Sequence, residues 1–116
     1  MAATVRGLVA EAQEEIRDTN LSPERVRVLM ARLSALIGNI NDEIRQADAA
    51  YAAVLLRCLE TSDKANHARI KAECSPEYQR KREARDTKEL NLELYRAMKH
   101  WLKSYSDEIH MSGGQM

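Results

Sequence analysis

Phenylalanine is absent from this chain of 116 residues, and one tryptophan and four tyrosines are its only aromatic side chains. Burial must therefore come mainly from Leu, Ile, Val, Ala and Met. At about 25 cal/mol per Å2 of apolar area, helices with such side chains make a lean core for one copy. The composition predicts a homo-oligomer, most simply a dimer, that supplies the missing burial. Glycine is scarce, and its only pair, Gly113-Gly114, lies in the tail. That counts against the Gly-rich turns that cradle phosphates in P-loop and Rossmann proteins. The two cysteines, Cys58 and Cys74, make no disulfide framework. Both fall in helical pattern, where free, buried thiols of a reducing cytosol are expected. No run approaches the ~20 apolar residues of a membrane span. The early acids Glu11, Glu14 and Glu15 do not suit a signal peptide. The expectation is a cytoplasmic protein with no membrane partner.

What is present is one long apolar ladder. Val26, Leu29, Leu33, Leu36, Ile40, Ile44, Ala47, Tyr51, Val54 and Cys58 follow one another at steps of three or four. That spacing is one face of an α-helix. A helix over Pro23–Leu59 is roughly 55 Å long at about 1.5 Å per residue. It cannot cover its own stripe, so it needs partner helices from this chain or from a second copy. The step from Ile40 to Ile44 is a stutter that relaxes a left-handed supercoil. Gly38, with Asn39 and Asn41 beside it, weakens the helix and marks a close crossing or a bend.

The rest of the chain reads as three further helices. The first covers about Ala3 to Asp18, with Val5, Leu8, Val9, Ala12 and Ile16 as its stripe. Ser22-Pro23-Glu24 is a helix start: the serine caps free N–H groups, proline suits the first helical position, and glutamate complements the dipole. The same tripeptide recurs at Ser75-Pro76-Glu77. Between them, Ser62 or Asp63 is expected to cap a short helix over about Lys64–Glu73. The last helix starts at Pro76 and runs to about His110. Its first third is almost entirely polar; its later part carries Leu90, Leu94, Met98, Trp101 and Tyr105 on one line. The expected architecture is all-α: an elongated antiparallel helical bundle with a coiled-coil-like hairpin and a long C-terminal helix packed back along the ladder. Residues 1–111 form one domain and 112–116 a flexible tail. Leu33, Leu36, Ile40, Ile44, Tyr51 and Trp101 are the expected oligomer interface.

Charge is balanced overall but not along the chain. Net charge is −2 over residues 1–62, +3 over 63–88 and −1 over 89–116. The middle segment is a basic island, and its bland reading is a solvated helix face. Its functional reading is a footprint for phosphate or for an acidic partner. Lys64, Arg69, Lys71, Arg80, Lys81, Arg82, Arg85 and Lys88 supply the cations. Tyr78 offers a ring that can stack on a base or, more blandly, a core contact at the helix start. Lys81 and Arg85 lie one turn apart and can follow one phosphate track; Arg82 and Asp86 have the same spacing and can pair with each other.

Catalytic chemistry is weakly represented. His67 and Cys74 share a helical spacing, but a zinc site needs three or four ligands. His100 and His110 have no acid or nucleophile at a telling distance in sequence. No cofactor or metal is expected, and an enzyme is disfavoured.

The segment Lys71-Ala72-Glu73-Cys74-Ser75-Pro76-Glu77-Tyr78, then Glu83-Ala84-Arg85-Asp86, then Leu90, Leu94, Arg96, Lys99 and Leu102, resembles small all-helical phage and prophage proteins from recombination or replication gene neighbourhoods. The resemblance covers the C-terminal half. It implies a phage origin, a place in the host cytoplasm and a non-enzymatic accessory role, and it carries over no catalytic residue. The expected function is an interaction protein acting through its helical surface, with a protein or single-stranded nucleic acid as partner. The alternatives are a phage inhibitor that blocks a host defence protein, and a small structural or assembly subunit.

Overall fold

The computed structural model describes residues 4–18 and 20–114. Four helices account for nearly all of them: α1 (Val5–Asp18), α2 (Pro23–Thr61), α3 (Ala65–Glu73) and α4 (Pro76–Gly114). Two capping serines start the long helices as their tripeptides predict. The Ser22 hydroxyl accepts from the Arg25 N–H at 3.2 Å, and the Ser75 hydroxyl accepts from the Tyr78 N–H at 3.2 Å. Thr4 caps α1 in the same manner, accepting from the Gly7 N–H at 2.9 Å; the expected first position, Ala3, lies outside the described residues. The cap of α3 differs from expectation. Its N-cap is Lys64, with no side-chain hydrogen bond, while Ser62 closes the C-terminus of α2. The backbone of α4 is helical through Gly114, past the expected end near His110. Residues 115–116 of the expected tail lie outside the described residues.

The ladder of α2 is covered from within the chain. Val26, Leu29, Leu33, Leu36, Ile40, Ala47, Tyr51 and Val54 are all buried. α4 lies antiparallel along α2. Its Met98 packs with Val26 and Leu29 near the start of α2, and its Tyr78 packs by Tyr51 and Val54 near the end. The two short helices each cover half of this long pair. Val5, Leu8 and Val9 of α1 pack with Leu36 and Ile40, while Ile16 reaches the Val26 end. Ala68 and Ala72 of α3 are fully buried, and Ala72 sits against Tyr51 and Val54. Alanine there lets α3 approach closely, so a helix with few large apolar groups still docks.

This arrangement corrects two expectations. Leu33, Leu36, Ile40 and Tyr51 are buried in a single copy, and Ile44 is half-buried against the same core. They are filled by α1, α3 and α4 and are not free to form an oligomer interface. Gly38 also has a different meaning: it is exposed, and a Cβ built there meets nothing within 4 Å. No helix crosses closely at that point. The helix passes through because Leu36 and Ile40 are anchored on either side, and their burial outweighs the ~1 kcal/mol that glycine costs.

The result is a rod. Its extents are 77 × 31 × 22 Å. The radius of gyration is 20.4 Å, against about 13 Å for a compact chain of this length. The accessible surface is 8331 Å2, whereas a compact monomer of this mass exposes about 6,400 Å2. One buried polar group stands out in the core: Asn91 of α4 is 1 % exposed, and neither of its amide atoms has a partner.

Two stability changes follow from these positions. Gly38→Ala should raise stability by about 0.5–1 kcal/mol, because the methyl enters open space and the unfolded chain loses freedom. Ile40→Asp buries a charge in the central cluster and should abolish cooperative folding at ambient temperature. Thermal melts followed by circular dichroism test both; an unchanged melt for Ile40→Asp would mean that the ladder is not buried as described.

Candidate partner-binding surface

Residues 64–88 comprise α3 and the first turns of α4, folded beside the C-terminal half of α2. Their placement divides the basic island in two. Arg80 forms a two-pronged contact with Glu43 of α2: its Nε donates to one carboxylate oxygen at 2.7 Å and an Nη to the other at 3.2 Å. Arg85 donates to Asp48 at 2.9 Å. The Lys81 ammonium lies over the Tyr51 ring, 4.6 Å from its centroid. Tyr78 meets the same ring from α4, with centroids 5.3 Å apart and planes tilted by 47°. These groups join α4 to α2 through the stretch where Ala47 is the fully buried residue of the ladder and apolar cover is thin. Four expected binding residues, Tyr78, Arg80, Lys81 and Arg85, are thereby reassigned to packing. Tyr78 takes the bland reading, because its ring is spent on Tyr51 and is not free to stack on a base.

The electrostatics agree with this division. The Arg80 hydrogen bond holds the Glu43 carboxyl below the usual glutamate range, against a smaller opposing effect of burial. Burial, followed by the charge of Glu73, pushes the Tyr51 hydroxyl up. Glu83 is lowered by its hydrogen bond from Arg6, 2.8 Å away, which ties the start of α1 to α4. Arg6, Glu43, Arg80 and Glu83 together line a cleft of about 400 Å3 at the start of α1. Its charges are already matched in pairs, so it presents no spare charge to a ligand.

The second part of the island faces water. Lys64, Arg69, Lys71 and Arg82 are exposed and Lys88 is half-exposed. Among the described residues none of them forms an ion pair. Arg82 and Asp86, one helical turn apart, do not meet. Lys64, Arg69 and Lys71 all lie on or next to α3. Beside them, Ile70 is 59 % exposed. A shallow cleft of about 400 Å3 opens here between Thr61, Ser62, Asp63, His67, Ile70 and Lys71. The Ser62 hydroxyl in its wall is buried without a hydrogen-bond partner. Cys74, the C-cap of α3, is exposed, contrary to the expectation of a buried thiol; Cys58 is half-buried beside Tyr51 and Val54. Among the described residues, no three His, Cys, Asp or Glu side chains gather as a metal-binding group, and no helix is long and apolar enough to cross a membrane.

Sequence reasoning missed Glu43, Asp48 and the cleft beside Ser62. The two acids sit outside the ladder on an ordinary polar flank of α2, and nothing local marks them as partners of residues far along the chain. No protein-family model matches this chain, and no curated protein or solved structure matches it.

The Glu43–Arg80 contact makes a pH prediction. A carboxyl lowered in the folded state adds stability that is present above its unfolded pKa and is lost as pH falls through the folded pKa. Wild type should therefore melt above Glu43→Gln at neutral pH, by an amount matching about 0.5–1 kcal/mol for an exposed pair. The two melts should converge in strong acid. A constant offset across that range would show that Glu43 does not act through its charge.

Proposed function

We propose that this protein is a non-enzymatic interaction protein that engages a macromolecular partner through its α3 end. The observation that carries this reading is the division of the cations. Those that α2 can neutralise are consumed in packing, whereas Lys64, Arg69 and Lys71 remain unpaired around an uncovered isoleucine. A solvated face has no need of Ile70 among its charges. A surface that mixes cations with apolar groups fits a protein segment carrying acidic and apolar side chains. The unpartnered Ser62 hydroxyl adds a polar anchor in the adjoining cleft. A phage accessory factor, a blocker of a host defence protein and an assembly subunit are all forms of this reading and differ in the partner.

Single-stranded nucleic acid is the second reading, favoured by the unpaired cations on α3 and by Arg82 and Lys88 on α4. It lacks support from aromatic stacking, since Tyr51 and Tyr78 are engaged with each other.

The two readings separate by salt. Affinity capture from cell lysate with wild type and with Ile70→Asp should yield one partner, retained by wild type at high salt and lost with the variant. In parallel, anisotropy of labelled single-stranded DNA and RNA should show no binding. Nucleic-acid binding that weakens steeply with salt, and disappears in Lys64→Ala/Arg69→Ala/Lys71→Ala, would replace the first reading with the second.

A further inference from the structure

Charge on α4 is sorted by face. Lys81, Arg85, Lys88, Arg96, Lys99 and Lys103, with Leu92 in line between Lys88 and Arg96, follow one another at steps of three or four. At about 3.6 residues per turn they share an arc of about 80° and run for about 33 Å. Glu83, Asp86 and Glu93 lie about a quarter turn or more from the midline of this stripe; Glu77, Glu89 and Asp107 border it. Arg85, Arg96, Lys99 and Lys103 are exposed, and Lys81 and Lys88 are half-exposed. Arg85 is tied to Asp48, and Lys81 to the Tyr51 ring. The others form no ion pair among the described residues. This side of α4 is the one that α1 leaves open. Arg6 of α1 bonds to Glu83, which is about half a turn round the helix from Leu92. Where the stripe meets α2, a shallow groove of about 540 Å3 is lined by Ile44 and Arg45 of α2 and by Arg85, Lys88, Glu89 and Leu92 of α4. Arg45 there is held by Asp42 of its own helix.

We propose that this stripe of α4 binds the phosphate backbone of duplex DNA without reading its sequence. Charge complementarity selects the occupant. No large apolar side chain is uncovered within the stripe: Tyr105 and Ile109, beyond Leu102, continue the core face instead, and Met111 lies past the stripe's end. A helix that lies on a membrane buries apolar groups beneath its cations, and a protein interface needs an apolar centre. A phosphate backbone needs cations alone. A single strand is held in part by stacking on free rings, and Tyr95, the one ring beside the stripe, is half-buried. A duplex keeps its bases stacked on each other and carries a phosphate charge about every 1.7 Å, twice the density of one strand. The length of the stripe matches about one turn of B-DNA, roughly 34 Å. The major groove of B-DNA admits an α-helix, whereas that of duplex RNA is deep and narrow. Lys88 on one flank of the arc and Arg96 on the other then face phosphates of opposite strands. Leu92, at the midline, offers no hydrogen bond to a base edge, which makes the contact independent of sequence. The cations of this face are not those of α3, so this surface stands apart from the partner site proposed above.

The test is fluorescence anisotropy of a labelled DNA duplex of about two helical turns, followed across a salt series. Wild type should bind at low salt with micromolar affinity. The logarithm of its binding constant should fall against log salt with a slope of about −3.6, at about −0.9 for each of Lys88, Arg96, Lys99 and Lys103. Arg96→Gln/Lys99→Gln/Lys103→Gln should weaken binding about tenfold or more and bring the slope to about −0.9. Its circular dichroism should stay that of wild type, because all three side chains are exposed. Lys64→Ala/Arg69→Ala/Lys71→Ala should bind the duplex as wild type does, and a single strand of the same sequence should not bind. No duplex binding at low salt would overturn the proposal. So would binding that survives the α4 substitutions, a loss that follows the α3 substitutions instead, or a single strand bound as tightly as the duplex. Capture by phosphatidylserine vesicles in place of the duplex would also overturn it and make the stripe a membrane contact.

Discussion

The burial of α2's apolar face by α4 is the constraint on which the rest of this structure depends. A helix of that length carries a continuous stripe, and only another long helix can cover it from end to end. α4 does so by running antiparallel, with Met98 at the start of α2 and Tyr78 at its end. Two long helices alone leave the flanks of the stripe open. α1 closes one half with Val9 and Ala12, and α3 closes the other with Ala68 and Ala72. The molecule is thus a long hairpin with a short helix laid on each half, and its elongation follows directly from the length of the stripe.

Charge does its structural work where apolar cover is thinnest. Around Ala47 the stripe offers little to bury, and there Glu43 and Asp48 of α2 meet Arg80 and Arg85 of α4. Lys81 over Tyr51 adds a contact of the same kind. Each such pair is individually weak at a wet surface, yet together they fix the register of two helices whose apolar contacts there are sparse. The basic island is therefore two populations of cations with different neighbours. What separates them is the proximity of α2, not their position in a run of charge.

Much of the fold was legible in the residues alone. The ladder at steps of three and four, the two Ser-Pro-Glu starts and the apolar line of α4 are local signals, and each appears in the structure as the predicted helix. Gly38 was misread because a glycine in a helix signals either close approach or mere tolerance, and only the neighbouring helices distinguish the two. The site was less legible. Arg80 and Arg82 look alike in sequence; one meets Glu43 and the other meets water because they lie on different sides of α4. Leu33, Leu36, Ile40 and Tyr51 read equally well as core or as interface, since a stripe records that something covers it and not whose helix does so.

The sequence by itself determined the helices, their starts and the faces they must bury. Those properties rest on backbone hydrogen bonds, caps and side-chain periodicity within a few residues of each other. Only the tertiary structure decided which helix covers which face, which cations are neutralised, and where a face is left open. Those outcomes depend on pairs such as Glu43 and Arg80, distant along the chain and brought together only when α4 docks on α2. The uncovered α4 stripe beyond Leu102 shows the difference most plainly. Its periodicity is continuous with the core, and its exposure arises only because α1 and α2 end before α4 does.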